Sequence, residues 1–307
     1  MNPLSRRRFL GAASAVAFAP LRLALGASTA PAITVTSLTP QDRGGLVLLQ
    51  GAGCNVVALP GPDGALMIDG GLAANSKALL KHVADVTGAR RVNTLFNTHW
   101  HPEQTGSNEA VGKDKGLIVS HEVTRLYEGR KATSVCFEGS YGPLPPVARA
   151  TRTTRTSGAL EFAGLHVAYD YLPAAHTDGD LFVHFPELNL LVAGGPVAGA
   201  RWPVIDIHNG GWLGGLVRGY EKLADLVKPD TRIVTTDGPL WSGADIVRLR
   251  DIYQKLFKQM FVFFNKGYGP SDAVTAQPLK DLEAGLGDPA EFIAGAYRSL
   301  LQAYVPD

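Results

Sequence analysis

The apolar run Val92–Phe96, followed at once by Asn97-Thr98-His99-Trp100-His101-Pro102, constrains this chain more than any other stretch. Short apolar runs of this kind read as buried strands. Two histidines one residue apart at a strand-to-loop edge can both turn toward one point. Neutral imidazole is a common zinc ligand. A lone His-x-His pair is a weak metal signal and more often marks two packed, hydrogen-bonded core residues. A third ligand arriving from elsewhere in the chain separates the two readings.

His176 offers one. Ala175-His176-Thr177-Asp178-Gly179-Asp180 follows an expected strand, His166–Leu172, and opens a hairpin of Leu181–Phe185 and Leu188–Ala193 joined by Pro186-Glu187. Further on, Ile233-Val234-Thr235-Thr236 runs into Asp237-Gly238-Pro239. In order and spacing these segments closely resemble the metallo-β-lactamase superfamily. Asn97–Gly106 resembles its His-x-His-x-Asp-His signature, with Glu103 replacing the aspartate and Gln104 the last histidine. His176 matches the third histidine motif. Gly195, in Ala193-Gly194-Gly195, stands where a Gly-Asp pair supplies a metal-bridging carboxylate, and Asp237 stands where the last histidine is expected.

The resemblance spans roughly residues 45 to 255. It implies an α/β fold, an αββα sandwich of two similar halves with the site at the strand ends between them. His99, His101 and His176 would form a first zinc site. The second site would need Glu103, Gln104, Gly195 and Asp237, none of which keeps the usual residue. The cofactor implied is therefore about one zinc per chain. Three histidines plus water make the open tetrahedral arrangement of a catalytic zinc. The resemblance also puts Asp69, in Asp69-Gly70-Gly71, beneath the metal loop, where it would orient that loop through hydrogen bonds. Asp180 and Gln104 belong to the surround of the site. Glu103 can reach a metal or support a histidine from behind. Gln104 reads as a hydrogen-bonding filler. Asp237 can bind metal, act as a general base, or simply form the turn before Gly238-Pro239.

The chain begins Ser5-Arg6-Arg7-Arg8-Phe9-Leu10, followed by the small, apolar run Gly11–Ala19. This is similar to a twin-arginine export signal and implies a periplasmic protein delivered folded by the twin-arginine machinery. Pro20 and Arg22 interrupt the apolar run, which is too short for a stable membrane span. The whole chain has 29 basic and 28 acidic residues. Residues 1–26 hold four arginines and no acid, so the remainder carries 25 basic and 28 acidic groups, about −3. Nothing in that balance suggests nucleic-acid binding. The expected organisation is a signal at 1–30, a metallo-β-lactamase-like domain at 31–265, and a C-terminal helical extension at 266–307.

Further strands are expected at Leu46–Gln50, Asn55–Leu59, Ala65–Ile68, Leu117–Val119, Ala159–Phe162 and Arg232–Thr235. Helices are expected at Ser76–Val86, His121–Glu128, Leu213–Val227, Ala244–Asn265, Pro278–Ala284 and Pro289–Tyr304. Residues 129–156 are rich in Gly, Pro, Thr and Arg. A segment this long reads as a flap over the site mouth or a plain surface insertion. Cys54 is expected to be buried and reduced, although pairing with Cys136 stays open in an oxidising compartment. Trp100, Trp202, Trp212, Trp241, Phe137 and Tyr141 lie near site loops in sequence and can line a pocket or pack in the core.

The expected activity is metal-dependent hydrolysis of an ester, lactone, thioester or amide of a small-molecule substrate. Asp237, and after it Glu103, would hold the attacking water and carry a proton. Two alternatives stay open. One is a degenerate family member that binds a small ligand or partner without turnover. The other is a lyase, isomerase or cyclase using the same pocket.

Overall fold

The computed structural model describes residues 32–40, 45–282 and 284–304. The expected export signal lies outside the described residues. Thirteen strands form two sheets among the described residues. The first contains β1 (Thr34–Ser37), β2 (Val47–Gln50), β3 (Val56–Leu59), β4 (Ala65–Ile68), β5 (Val92–Phe96), β6 (Leu117–His121) and β7 (Arg152–Thr154), in that order across the sheet. Strands β1 to β4 are antiparallel, and β4 to β7 run parallel. The second contains β8 (Gly158–Phe162), β9 (Leu165–Leu172), β10 (Asp180–Phe185), β11 (Leu190–Gly194), β12 (Arg232–Thr235) and β13 (Trp241–Ser242), in sequence order. Its one parallel pair is β11 with β12.

Two sheets face to face need strands that are apolar on both sides where helices cover the outer faces. The sequence supplies them. In β3, Val57 and Leu59 point into the layer between the sheets, with Leu66, Phe96, Val183, Val192 and Val234. Val56 and Ala58 point the other way, against Leu79 and Val83 of α1 (Ser76–Thr87). On the outside of the second sheet, Phe182, Leu191 and Ile233 pack under α2 (Leu213–Leu226), α3 (Gly243–Asn265) and the helix Ala290–Tyr304. The expected αββα sandwich is thus present. The C-terminal helix shares its core, because Phe292, Ile293 and Tyr297 pack with Tyr220 and Tyr253. Among the described residues no helix is long and apolar enough to cross a membrane.

Three local expectations change. The helix expected at 278–284 is replaced by one at Pro270–Thr275. There Pro270 fixes φ at the first helical position, and Asp272 accepts the Gly269 amide at 2.8 Å. The short strands β1 and β13 were too small to stand out as periodic runs. The segment at 129–156 is not one loop, since its end forms β7 beside β6.

Candidate metal centre

Both histidine loops leave strand ends at the same rim of the sandwich. His99 and His101 follow β5, with His101 just before the short helix Pro102–Thr105. His176 sits between β9 and β10. All three rings are at least 94% buried, and their ligand nitrogens lie within 4.8 Å of one another.

The hydrogen bonds on the far side of each ring fix which nitrogen faces inward. Thr98 Oγ1 donates its only proton to Asp69 Oδ2 at 2.8 Å, so toward His99 Nδ1, 3.2 Å away, it can only accept. That leaves the His99 Nε2 lone pair free. His176 Nδ1 donates to the Val204 carbonyl at 2.7 Å, which frees Nε2. His101 Nε2 donates to Asp206 Oδ2 at 3.0 Å, which frees Nδ1. The inward-facing His176 Nε2 and His101 Nδ1 are 3.2 Å apart. In these tautomers both are acceptors, so the contact is not a hydrogen bond but two lone pairs converging. Zinc–nitrogen bonds of about 2.0–2.1 Å at tetrahedral angles put neighbouring ligand nitrogens about 3.3 Å apart. The donor set therefore fits a single cation. Burial first, and then the neighbouring histidines, pull the pKa values of His99 and His176 down, which favours the neutral, ligating form.

The loops are held from beneath by buried carboxylates. Asp69, at φ 63°, closes the turn after β4 and accepts the Thr98 amide on Oδ1 at 2.8 Å. Burial raises its pKa to about 7 against the hydrogen bonds from Thr98. Asp180 accepts the amides of His176 and Thr177 at 2.6 and 2.9 Å, and the Thr177 hydroxyl at 2.7 Å. Burial brings it to about 6.

The positions aligned with a second metal are built differently. Gly195 lies directly on the histidines: a Cβ there would come within 2.4 Å of His176 Cδ2 and 3.0 Å of His99 Cε1. Gln104 is buried, with Nε2 3.4 Å from Thr236 Oγ1 and Oε1 without a partner. Asp237 turns its carboxylate to Arg201 Nη2 at 2.7 Å and to the Gly199 amide at 3.2 Å. It joins neither of the groups of potential ligands found among the described residues. Glu103 is half-buried, and no hydrogen bond or ion pair among the described residues engages its carboxylate. Its charge is felt at Asp69, Cys54, Cys136 and Tyr141, all bordering the histidine loops.

Sequence reasoning missed Asp206, Ser134 and Asn209. Asp206 is fully buried and accepts from His101, from Ser134 Oγ at 2.7 Å and from Asn209 Nδ2 at 2.7 Å. Burial alone would raise its pKa, but the hydrogen bonds from His101 and Ser134 hold it below the usual range. An aspartate between Ile205 and Ile207 was the available signal, since an acid flanked by core residues is seldom free in solvent.

The 129–156 segment covers this side. Phe137 stands edge-on to His101, with centroids 5.6 Å apart, and packs with Tyr141 around the fully buried Trp100. Trp202 and Trp212 pack instead among the C-terminal helices. Trp241 reaches the Gly199 carbonyl. Cys54 and Cys136 are both free thiols, and Cys54 donates to the Glu103 carbonyl at 2.9 Å.

Residues 49–234 match the metallo-β-lactamase superfamily, and the chain belongs to it. Among solved structures it is similar to a metallo-β-lactamase from Pontibacter korlensis, at 18% identity and a TM-score of 0.54, covering 75% of this chain and 97% of that one. It is also similar to the DIM-1 metallo-β-lactamase, at 12% identity and a TM-score of 0.58, covering 72% and 97%. A third likeness is to a stereoselective inverting sec-alkylsulfatase from Pseudomonas sp., at 14% identity and a TM-score of 0.58. That match covers 89% of this chain, enough to take in part of the C-terminal helices, and 50% of the other. At these identities the likeness is one of fold. No match was found among curated proteins.

Proposed function

We propose that the protein is an exported hydrolase that uses one zinc to cleave an ester, lactone, thioester or amide bond in a small molecule. The convergence of three inward-facing imidazole nitrogens, each fixed from behind, is the observation that carries this reading. A zinc held by His99, His101 and His176 would supply Lewis acidity and an activated water at neutral pH.

The chain's own residues supply the rest. Thr98, Asp206 and the Val204 carbonyl keep the three rings in the ligating tautomer. Asp69 and Asp180 hold the two loops that carry those rings. Glu103, which like Asp237 lies outside the groups of potential ligands but whose carboxylate has no partner among the described residues, would be the group that takes up a proton and returns it to the leaving group. Asp237, first in line on sequence grounds, is committed to Arg201 and is assigned to the pocket rim. Phe137 and Trp100 exclude bulk water beside His101.

The alkylsulfatase likeness supports a second substrate class, alkyl sulfate esters, because it reaches into the C-terminal helices. Zinc content of protein recovered from the periplasm tests the reading, together with a turnover panel of esters, lactones, thioesters, amides and alkyl sulfates. About one zinc per chain and hydrolysis within the panel are expected. No metal and no turnover would favour a small-ligand binder.

A further inference from the structure

We propose that Ser134 and Asp206 are a positioning pair. Together they hold His101 with Nδ1 turned toward His99 and His176, and so tie the docking of the 129–156 segment to the geometry of the metal centre. The inference rests on the single-metal reading for its consequence, though not for its geometry.

Asp206 comes from the stretch after β11, and Ser134 from the covering segment. They meet inside the protein, with Asp206 fully buried and Ser134 7% exposed. One oxygen, Asp206 Oδ2, receives three donors: His101 Nε2 at 3.0 Å, Ser134 Oγ at 2.7 Å and Asn209 Nδ2 at 2.7 Å. Both of the latter are wired to the covering segment. Ser134 Oγ accepts the Cys136 amide at 2.9 Å, and Asn209 Nδ2 also reaches the Thr133 carbonyl at 2.8 Å. The segment's backbone is therefore pinned at 133–136 to the carboxylate that selects the His101 tautomer. At the next residue, Phe137 stands perpendicular to the His101 ring and blocks its rotation. If the segment leaves, the carboxylate loses a fixed direction and the ring loses a wall.

Outer partners of ligating histidines are worth about 10- to 100-fold in metal affinity. Asp206→Asn should weaken zinc binding by that factor. Ser134→Ala, which removes one hydrogen bond to the carboxylate, should weaken it about fivefold. Because Ser134 acts through Asp206, the double variant should bind no more weakly than Asp206→Asn alone.

The test is competition against a chromophoric chelator for zinc in all four proteins. Nitrogen NMR of the histidine rings in the metal-free proteins accompanies it. Wild type should show His101 protonated on Nε2; Asp206→Asn should lose that preference, and Ser134→Ala, which keeps the carboxylate 3.0 Å from Nε2, should weaken it. Additive affinity losses, or a His101 tautomer unchanged in both variants, overturn the pairing. The ring spectrum and Ser134→Ala still decide if Asp206→Asn fails to fold.

His101, Cys136 and Asp206 also place ligand atoms within 4.8 Å of one another. If Cys136→Ser abolishes zinc binding and His176→Ala does not, the metal sits on that set and the positioning role is wrong. Wild type that binds no zinc yet keeps the Nε2-protonated tautomer supports the pairing and refutes the single-metal function.

Discussion

Replacing Gly195 by alanine should disable the metal centre while leaving the fold standing. Gly195 is not among the glycines with positive φ, so alanine meets no backbone strain there. The conflict is steric. The new Cβ would lie 2.4 Å from His176 Cδ2, where ordinary contact begins at 3.4 Å, so the ring must retreat by 1.0 Å. Zinc ligand distances tolerate only about 0.2 Å. His176 is also clamped at Nδ1 by the Val204 carbonyl, so it cannot retreat and keep its partner. Losing one of three ligands should cost at least about 100-fold in zinc affinity, or about 2.8 kcal/mol. Overpacking should cost the metal-free fold about 1–3 kcal/mol. Chelator competition reads the first quantity and denaturant unfolding of metal-free protein the second. Gly195→Asp, which restores the carboxylate usual at this family position, should meet the same clash and bind fewer than two metals. Wild-type zinc affinity in Gly195→Ala, or two zincs in Gly195→Asp, would refute the reasoning.

Removing His176 by alanine substitution should abolish stoichiometric zinc, whereas Gln104→Ala should leave occupancy nearly unchanged; elemental analysis of both variants checks the ligand assignment. Glu103→Gln should keep zinc and lower kcat by about 10²–10⁴-fold, the usual scale for a lost general base, while Asp237→Asn should change it only a few-fold; the reverse order would return the role to Asp237. Burial lifts the Glu128 pKa from 4.5 to about 7. A carboxyl raised on folding stabilises the protonated native state, so this contribution is complete below about pH 4.5 and is lost as pH rises toward 7, about 3 kcal/mol in all. Glu128→Gln should remove that slope, and parallel pH–stability curves for variant and wild type would contradict the assignment. Replacing Arg6 and Arg7 by lysine should strand the precursor in the cytoplasm, as fractionation would show.

The strands were legible because they are short, apolar and punctuated by Gly, Pro and Asp, and their arrangement as a sandwich followed from the resemblance of the motifs to the superfamily. Val92–Phe96, Ala65–Ile68 and Arg232–Thr235 appear where the pattern put them. The three histidines were legible because each follows a strand and so reaches the same rim. What holds them was only half legible. Asp180 holds His176 and Thr177 within four residues and could be read locally, whereas Asp69 reaches Thr98 across 29 positions and was legible only through the resemblance. Asp206 acts on His101 across 105 positions of sequence, and Ser134 acts on Asp206 across 72. Such pairings come from how the 129–156 segment folds back, and no periodicity encodes that.

The altered second-site positions bear on whether this chain is a decayed enzyme or a one-metal one. Decay would leave the old positions loosely filled, with room where the ligands had been. Here Gly195 has His176 packed against its missing Cβ, and Asp237 is taken up by Arg201 and Gly199. Of these positions, Gln104 keeps a buried oxygen without a partner, and the half-buried Glu103 carboxylate is unengaged among the described residues. Meanwhile every buried histidine of the first set retains a partner that sets its tautomer. Buried polar groups without partners are costly, so three converging lone pairs with no cation would be an expense that random drift readily removes by substituting one apolar side chain. The packing at Gly195 and Asp237, beside the support of the first set, favours the proposed single-metal reading over a decayed enzyme.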